Sequence, residues 1–171
     1  FTALTAMLAV PWALKFLWAP VVDALHDRGW SLRRMIMTAQ SVMIACLVPL
    51  IGVDPVERLD LICVLLLLHA VAASTQDVAI DAWCISLAPP EEHGRINGWM
   101  QAGMLLGRSL LGGGALVMTA WIGSTSVVMV LCIALLLCLG VLWRVDEPAE
   151  RGEPPGENAF ARLTSGLTRF A

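Results

Sequence analysis

Two aspartates, Asp77 and Asp81, lie in the run Ser74-Thr-Gln-Asp-Val-Ala-Ile-Asp81, inside an apolar stretch from Leu59 to Ala88 that is long enough to cross a bilayer. A carboxylate at membrane depth costs roughly 2.5–3.5 kcal/mol on insertion scales, so it faces a water-filled cavity, a counter-charge or a proton path. This placement points to transport; for either residue taken by itself, a structural ion pair is the competing reading. A second polar set occurs downstream, where Asn97, Gln101 and Arg108 fall on one helical face at spacings of four and seven. Such a stripe turns away from lipid, toward a cavity or a partner helix. Gly103, Gly107 and Gly114 fall on another face and predict a small-xxx-small surface for close helix packing.

Counting inward from the loop at residues 89–95 at ~1.5 Å per residue puts Asp77 and Arg108 both at roughly 18–20 Å and Asp81 at roughly 12 Å, and Lys15, eight residues before Asp23, lies at a similar depth. The depths predict two polar layers, Lys15 with Asp81 and Arg108 with Asp77. His69 also lies within a span, where a lone histidine is more often a hydrogen-bonded packing residue than a proton relay. Enzyme chemistry has little support, because the chain has no HExxH, no Gly-x-Ser-x-Gly and no nucleophile and base in one recognisable motif. The five cysteines, Cys46, Cys63, Cys84, Cys132 and Cys138, sit in apolar segments without CxxC or Cys/His ligand spacing. They read as small core residues, with no disulfide, metal or cofactor expected.

The elements that must hold these groups follow from composition. With 58% hydrophobic and 15% charged residues and a mean hydropathy of +0.76, the preferred solvent is lipid. The net charge of −3 is small, and nucleic acid is not an expected partner. Five apolar segments, at about 1–22, 33–52, 59–88, 96–120 and 125–143, each approach the ~20 residues that a transmembrane helix needs. Pro11 and Pro49 predict kinks in the first two. Residues 145–171 are polar and rich in Pro and Gly at first, a solvated linker followed by a short amphipathic segment with Phe160, Leu163, Leu167 and Phe170 at helical spacing. Arg28, Arg33, Arg34, Arg95 and Arg144 fall in alternate connections, which the positive-inside rule assigns to the cytoplasm. Six of the seven tryptophans lie near a proposed span end, as interfacial rings should, and Trp12 is the exception. The chain starts without Met and without a basic flank, so an upstream segment is expected to be missing.

Three motifs carry a family resemblance: Pro11-Trp-Ala-Leu-Lys-Phe-Leu-Trp-Ala-Pro-Val-Val-Asp23, Thr75-Gln-Asp-Val-Ala-Ile-Asp-Ala-Trp83 and Glu92-His-Gly-Arg-Ile-Asn-Gly98. In this order they resemble the AmpG-type muropeptide permeases and the related acetyl-coenzyme A transporters of the major facilitator superfamily, over most of residues 11–114. The resemblance implies an all-α integral membrane fold, with these five spans as helices two to six of a twelve-helix transporter. The first helix and the C-terminal half would then be absent, and the tail would open the central cytoplasmic loop. In that fold, solute binds between two six-helix halves near the midplane and one half rocks against the other.

The resemblance also implies proton-coupled uptake of 1,6-anhydromuropeptides across the bacterial inner membrane, with lipid, solute and protons as partners. Asp23 with Arg28, Arg33 and Arg34 resembles the family's conformational latch loop, although His26-Asp-Arg-Gly-Trp-Ser-Leu-Arg-Arg34 is looser than the family's dense basic run. Asp77 or Asp81 would carry the proton, and Lys15 would complete the coupling set. Arg108 would bind an anionic group of the solute or lock Asp77, and Asn97 and Gln101 would hydrogen-bond sugar or peptide. Transport of another solute such as acetyl-coenzyme A, a membrane-embedded enzyme and an assembly subunit stay open as alternatives.

Overall fold

A computed structural model of the chain describes residues 10–53 and 57–145, and all regular structure among them is helical. The start of the first expected span, the polar linker and the amphipathic segment with Phe160, Leu163, Leu167 and Phe170 lie outside the described residues. Residues 10–13 are helical, the chain leaves helix at Leu14, and α1 then runs Lys15–Asp27 with Pro20 inside it. The turn that Pro11 is expected to kink, the one before it, lies outside the described residues. The helix also runs on past residue 22, through Val22, which is fully buried.

The turn out of α1 depends on Gly29, whose φ of 86° is costly for a residue with a Cβ. That conformation lets Gly29 N–H reach His26 O at 2.8 Å and Trp30 N–H reach Leu25 O at 3.1 Å, satisfying the last carbonyls of the helix. Ser31 then caps α2 (Leu32–Leu47), its Oγ accepting from Arg34 N–H at 3.3 Å. The connection is thus shorter than the sequence predicted, with the two helices separated only by residues 28–31.

Helix α2 is the centre of the bundle. Its buried residues, Leu32, Met35, Ile36, Ala39, Gln40, Met43, Cys46 and Leu47, recur at intervals of three and four and form one stripe. Pro49 does not bend this helix; it ends it, because α2 gives way to a 3-10 turn at Val48–Leu50 with the proline at its start. Helix α3 (Leu59–Leu87) has 29 residues, about 43 Å at the α-helical rise. Its buried residues are small ones, Ala70, Ala72, Ser74, Val78 and Ala79, which allow the backbone of α2 to come close. Val22, Leu32, Met35, Ile36, Val78 and Ala79 make the core that joins α1, α2 and α3, with Trp18, Trp83 and Leu142 packed against it.

After a 3-10 turn at Pro90–Glu92 come α4 (His93–Gly107), a π-helical segment at Arg108–Gly113 and α5 (Gly114–Ile122), forming one continuous helical rod. Gly123, with φ 81°, reverses the chain into α6 (Ser124–Arg144). Among the described residues, three helical stretches are long and apolar enough to cross a membrane: Leu59–Leu87, Pro90–Ile122 and Ser124–Arg144. No residue of α4, the π segment or α5 is buried.

Among the described residues nothing packs on the glycine face. A Cβ at Gly103 or Gly107 would meet nothing within 4 Å, and at Gly114 only Ser109 O of the same rod. The π segment also bonds i→i+5, so its wider turns carry Gly114 off the face shared by Gly103 and Gly107.

Polar side chains tie the packed helices together. Gln40, 3% exposed, donates from Nε2 to Leu135 O of α6 at 2.7 Å, and its Oε1 accepts from Gln76 Nε2 of α3 at 2.9 Å. His69 Nδ1 lies 3.3 Å from Met43 O, in keeping with a packing role. At the C-terminal end of α6, Arg33 donates from Nε to Leu142 O at 3.2 Å and from Nη2 to Trp143 O at 2.6 Å, a cation on a helix C-terminus. Gln40→Leu removes both a donor and an acceptor at the meeting point of three helices. It should destabilise the protein by about 1–3 kcal/mol, read as a lower thermal unfolding midpoint in detergent, whereas Ser41→Ala on the exposed side of α2 should leave the midpoint unchanged.

Candidate functional site

Asp77 and Asp81 are four residues apart on α3, so their side chains leave the same helical face, one turn apart. Lys15, the first residue of α1, meets both. Its ammonium forms ion pairs with Oδ2 of Asp77 and with Oδ2 of Asp81, the latter at 2.7 Å and hydrogen-bonded. An ammonium carries three donors and no fixed plane, which suits it to bridge two carboxylates. The Oδ2 atom of Asp77 is buried and outside hydrogen-bond geometry, so the charge of Lys15 is what compensates it.

The side chains of Lys15, Asp77 and Asp81 remain 34%, 23% and 37% exposed, so the cluster opens on one side of the bundle rather than being sealed in its core. Next to it, Gln76 is drawn the other way, into the Gln40 contact. The polar groups of this part of α3 thus divide between an open ionic cluster and a half-buried amide that meets the buried Gln40.

The expected pairing of Lys15 with Asp81 is present, but the expected pairing of Arg108 with Asp77 is not. Arg108, the first residue of the π segment, has its guanidinium carbon 5.1 Å from the ring centroid of Trp12, a cation–π distance. Depth counting missed this for a physical reason: a one-turn separation lets a single ammonium serve both aspartates, which leaves Arg108 to the aromatic face. Asn97 and Gln101 are exposed, and neither side chain makes a hydrogen bond among the described residues. The stripe they share with Arg108 is open.

Of the expected latch residues, Asp23, Arg28 and Arg34 are exposed, while Arg33 caps α6. Trp12 and the Gln40–Gln76 pair are the residues that sequence reasoning missed. Trp12 did carry a signal, as the one tryptophan away from a span end. Gln76 carried one too, as the immediate neighbour of Asp77. Among the described residues no group of His, Cys, Asp and Glu is arranged to hold a metal ion.

Apolar helices of membrane-crossing length, with charged groups collected between them, define a multi-pass membrane protein. The sequence matches the Major Facilitator Superfamily profile over residues 1–170, and the chain belongs to that superfamily. An anhydromuropeptide permease of Escherichia coli is 26% identical over 141 residues, covering 81% of this chain and 29% of the permease. The protein of the same name from a second Escherichia coli strain gives the same figures. An uncharacterized protein of Haemophilus influenzae is 32% identical over 104 residues, 57% of this chain and 24% of that protein. The chain thus spans less than a third of the length of the curated relatives it matches. No solved structure matches it.

Removing Lys15 leaves two carboxylates together without a cation. Lys15→Met should therefore destabilise the folded protein by about 1–3 kcal/mol, below the roughly 3–5 kcal/mol of a fully buried broken pair because the cluster is partly solvated. Adding Asp77→Asn and Asp81→Asn to Lys15→Met should recover most of the loss, and thermal unfolding of the single and triple variants reads both effects.

Proposed function

We propose that the protein is a secondary active transporter of the bacterial inner membrane that takes up muropeptide-like cell-wall degradation products together with protons. The observation that carries this reading is the charge count of the cluster: one ammonium faces two carboxylates, so the set holds one net negative charge within the helical bundle. One proton on Asp77 or Asp81 would neutralise it, and a group whose charge is balanced only when protonated is a natural coupling site in a low-dielectric surround. Partial exposure of all three side chains gives that proton a way in.

Asn97, Gln101 and Arg108 supply the solute contacts in this reading, since they are polar, share one helical stripe and are open. Amide and guanidinium donors suit the hydroxyl, amide and carboxylate groups of a sugar-peptide. The substrate class rests on the name of the Escherichia coli relatives, at 26% identity. The five-span topology, with Arg28, Arg33, Arg34, Arg95 and Arg144 on the cytoplasmic side, belongs to the same proposal. So does a latch role for Asp23, Arg28, Arg33 and Arg34, in which the contact of Arg33 with α6 would hold one state of the loop.

The test is pH-gradient-driven uptake of a radiolabelled anhydromuropeptide by proteoliposomes that contain the full-length gene product. Uptake should collapse when a protonophore is added. Asp77→Asn and Asp81→Asn should each weaken the response to the gradient, and at least one of them should abolish it. Uptake that ignores the protonophore would remove the coupling role of the cluster, and no uptake by folded protein would remove the substrate class.

A further inference from the structure

Arg108 is a cation within a span that has no carboxylate partner among the described residues; the ion pairs there use Lys15 with Asp77 and Asp81, and Arg95 with Glu92. An arginine in a span is costly, and an anion at its guanidinium lowers that cost. The ring of Trp12 lies under the guanidinium. The ring contact forms no ion pair, and a guanidinium carries five N–H donors in a planar fork, so a two-bond contact with a carboxylate remains open to it. The side chain of Arg108 is exposed, as are Asn97 and Gln101 on the same stripe.

Trp12 also stands three residues before Lys15, and the non-helical Leu14 lies between them. One short turn of chain therefore holds the ring under Arg108 and the ammonium on the aspartates. We propose that Arg108 stacked on Trp12 is the carboxylate-binding point of the solute site, and that Trp12 is a positioning residue that links its occupancy to the Lys15–Asp77–Asp81 cluster through residues 12–15. The proposal rests on the transporter reading above and adds to it the charge class of the solute and the path of coupling. A carboxylate on Arg108 draws the guanidinium and its ring platform, and the turn passes that displacement to the ammonium. The charged groups around the turn are Lys15 itself, Asp77 and Asp81 from α3 and Arg108 from the π segment, and the Cys84 thiol lies within electrostatic range of Asp81.

The experiment measures KM and kcat for uptake of an anhydromuropeptide and of its methyl ester, in which the carboxylates are neutral, by the full-length gene product in proteoliposomes. Trp12→Leu should raise KM for the charged form about tenfold and leave KM for the ester unchanged. It should also move the pH midpoint of uptake, and Trp12→Phe should restore most of both effects because it restores a π face. Arg108→Lys, which keeps the charge and loses the planar fork, should reproduce the loss for the charged form. Equal loss for both forms, or an unchanged pH midpoint in Trp12→Leu, overturns the proposal.

Should the wild type take up neither compound, the substrate class fails by itself, and the binding point is judged on succinate. Succinate should then raise the unfolding midpoint of the wild type and of Trp12→Phe above that in chloride of equal ionic strength, and should not do so for Trp12→Leu or Arg108→Gln. The same shift in all four proteins overturns the proposal.

Discussion

One ammonium has to serve two carboxylates, and the placement of α1 on α3 follows from that. Asp77 and Asp81 leave α3 one turn apart, and Lys15 reaches both only when the start of α1 lies beside that turn. The face of α1 that begins with Lys15 continues through Trp18, Val22 and Leu25 at spacings of three and four, which is the face packed on the core. The ionic contact and the apolar contact are therefore one register. A slip of α1 by a residue would turn Lys15 away from the aspartates and Val22 out of the core together.

Lipid provides little hydrophobic drive between helices, so close packing and hydrogen bonds must supply the specificity. Helix α3 meets this demand with small residues toward α2, where Ser74 and Ala79 have no exposed surface at all. The hydroxyl of Ser74 turns back to Val71 O at 2.9 Å, so burying it leaves no unpaired donor. The Gln76–Gln40–Leu135 chain then crosses from α3 through α2 to α6, and Arg33 fastens the far end of α6 to the start of α2. These contacts bind α1, α2, α3 and α6 as a unit. The rod Pro90–Ile122 stands outside that unit; Arg108 meets Trp12, and Leu110, Leu111 and Met118 of the rod line a small apolar void with Val127, Val130 and Leu131 of α6.

Much of this was legible in the sequence because lipid-facing helices announce themselves by length and composition. Leu59–Leu87 and Ser124–Arg144 lie within two residues of expected spans, and Asp77 and Asp81 were marked as unusual by their surroundings alone. The ends of α2 were less legible: hydropathy continues through Pro49 to residue 52, while the missing backbone donor stops the α-helix at Leu47. Partner choice was least legible. Depth is one coordinate, and matching Arg108 with Asp77 by level says nothing about the rotation of either helix. Rotation decided the outcome, since it aimed Lys15 between the aspartates and Arg108 at Trp12. The glycines misled for a related reason, as regular α-helical spacing cannot foresee a π segment that changes the face in mid-rod.

That change of face has a consequence for how the open rod can work. Residues up to Gly107 follow α-helical rotation, so Asn97, Gln101 and the start of the π segment at Arg108 present one polar side. Beyond Gly113 the same rod presents Ala115 and Met118 to α6. A uniform α-helix would carry the polar side and the packed side on in fixed relation, whereas the π turn sets them independently. Gly112, Gly113 and Gly114 put no side chain in the way of a change in that turn, for a Cβ at the first two would meet nothing within 4 Å. The half of the rod that packs on α6 and the half that carries the polar stripe thus meet at the π segment, with Arg108 at the junction. The chain thus sets a packed unit that holds the carboxylates beside a rod whose polar side is open.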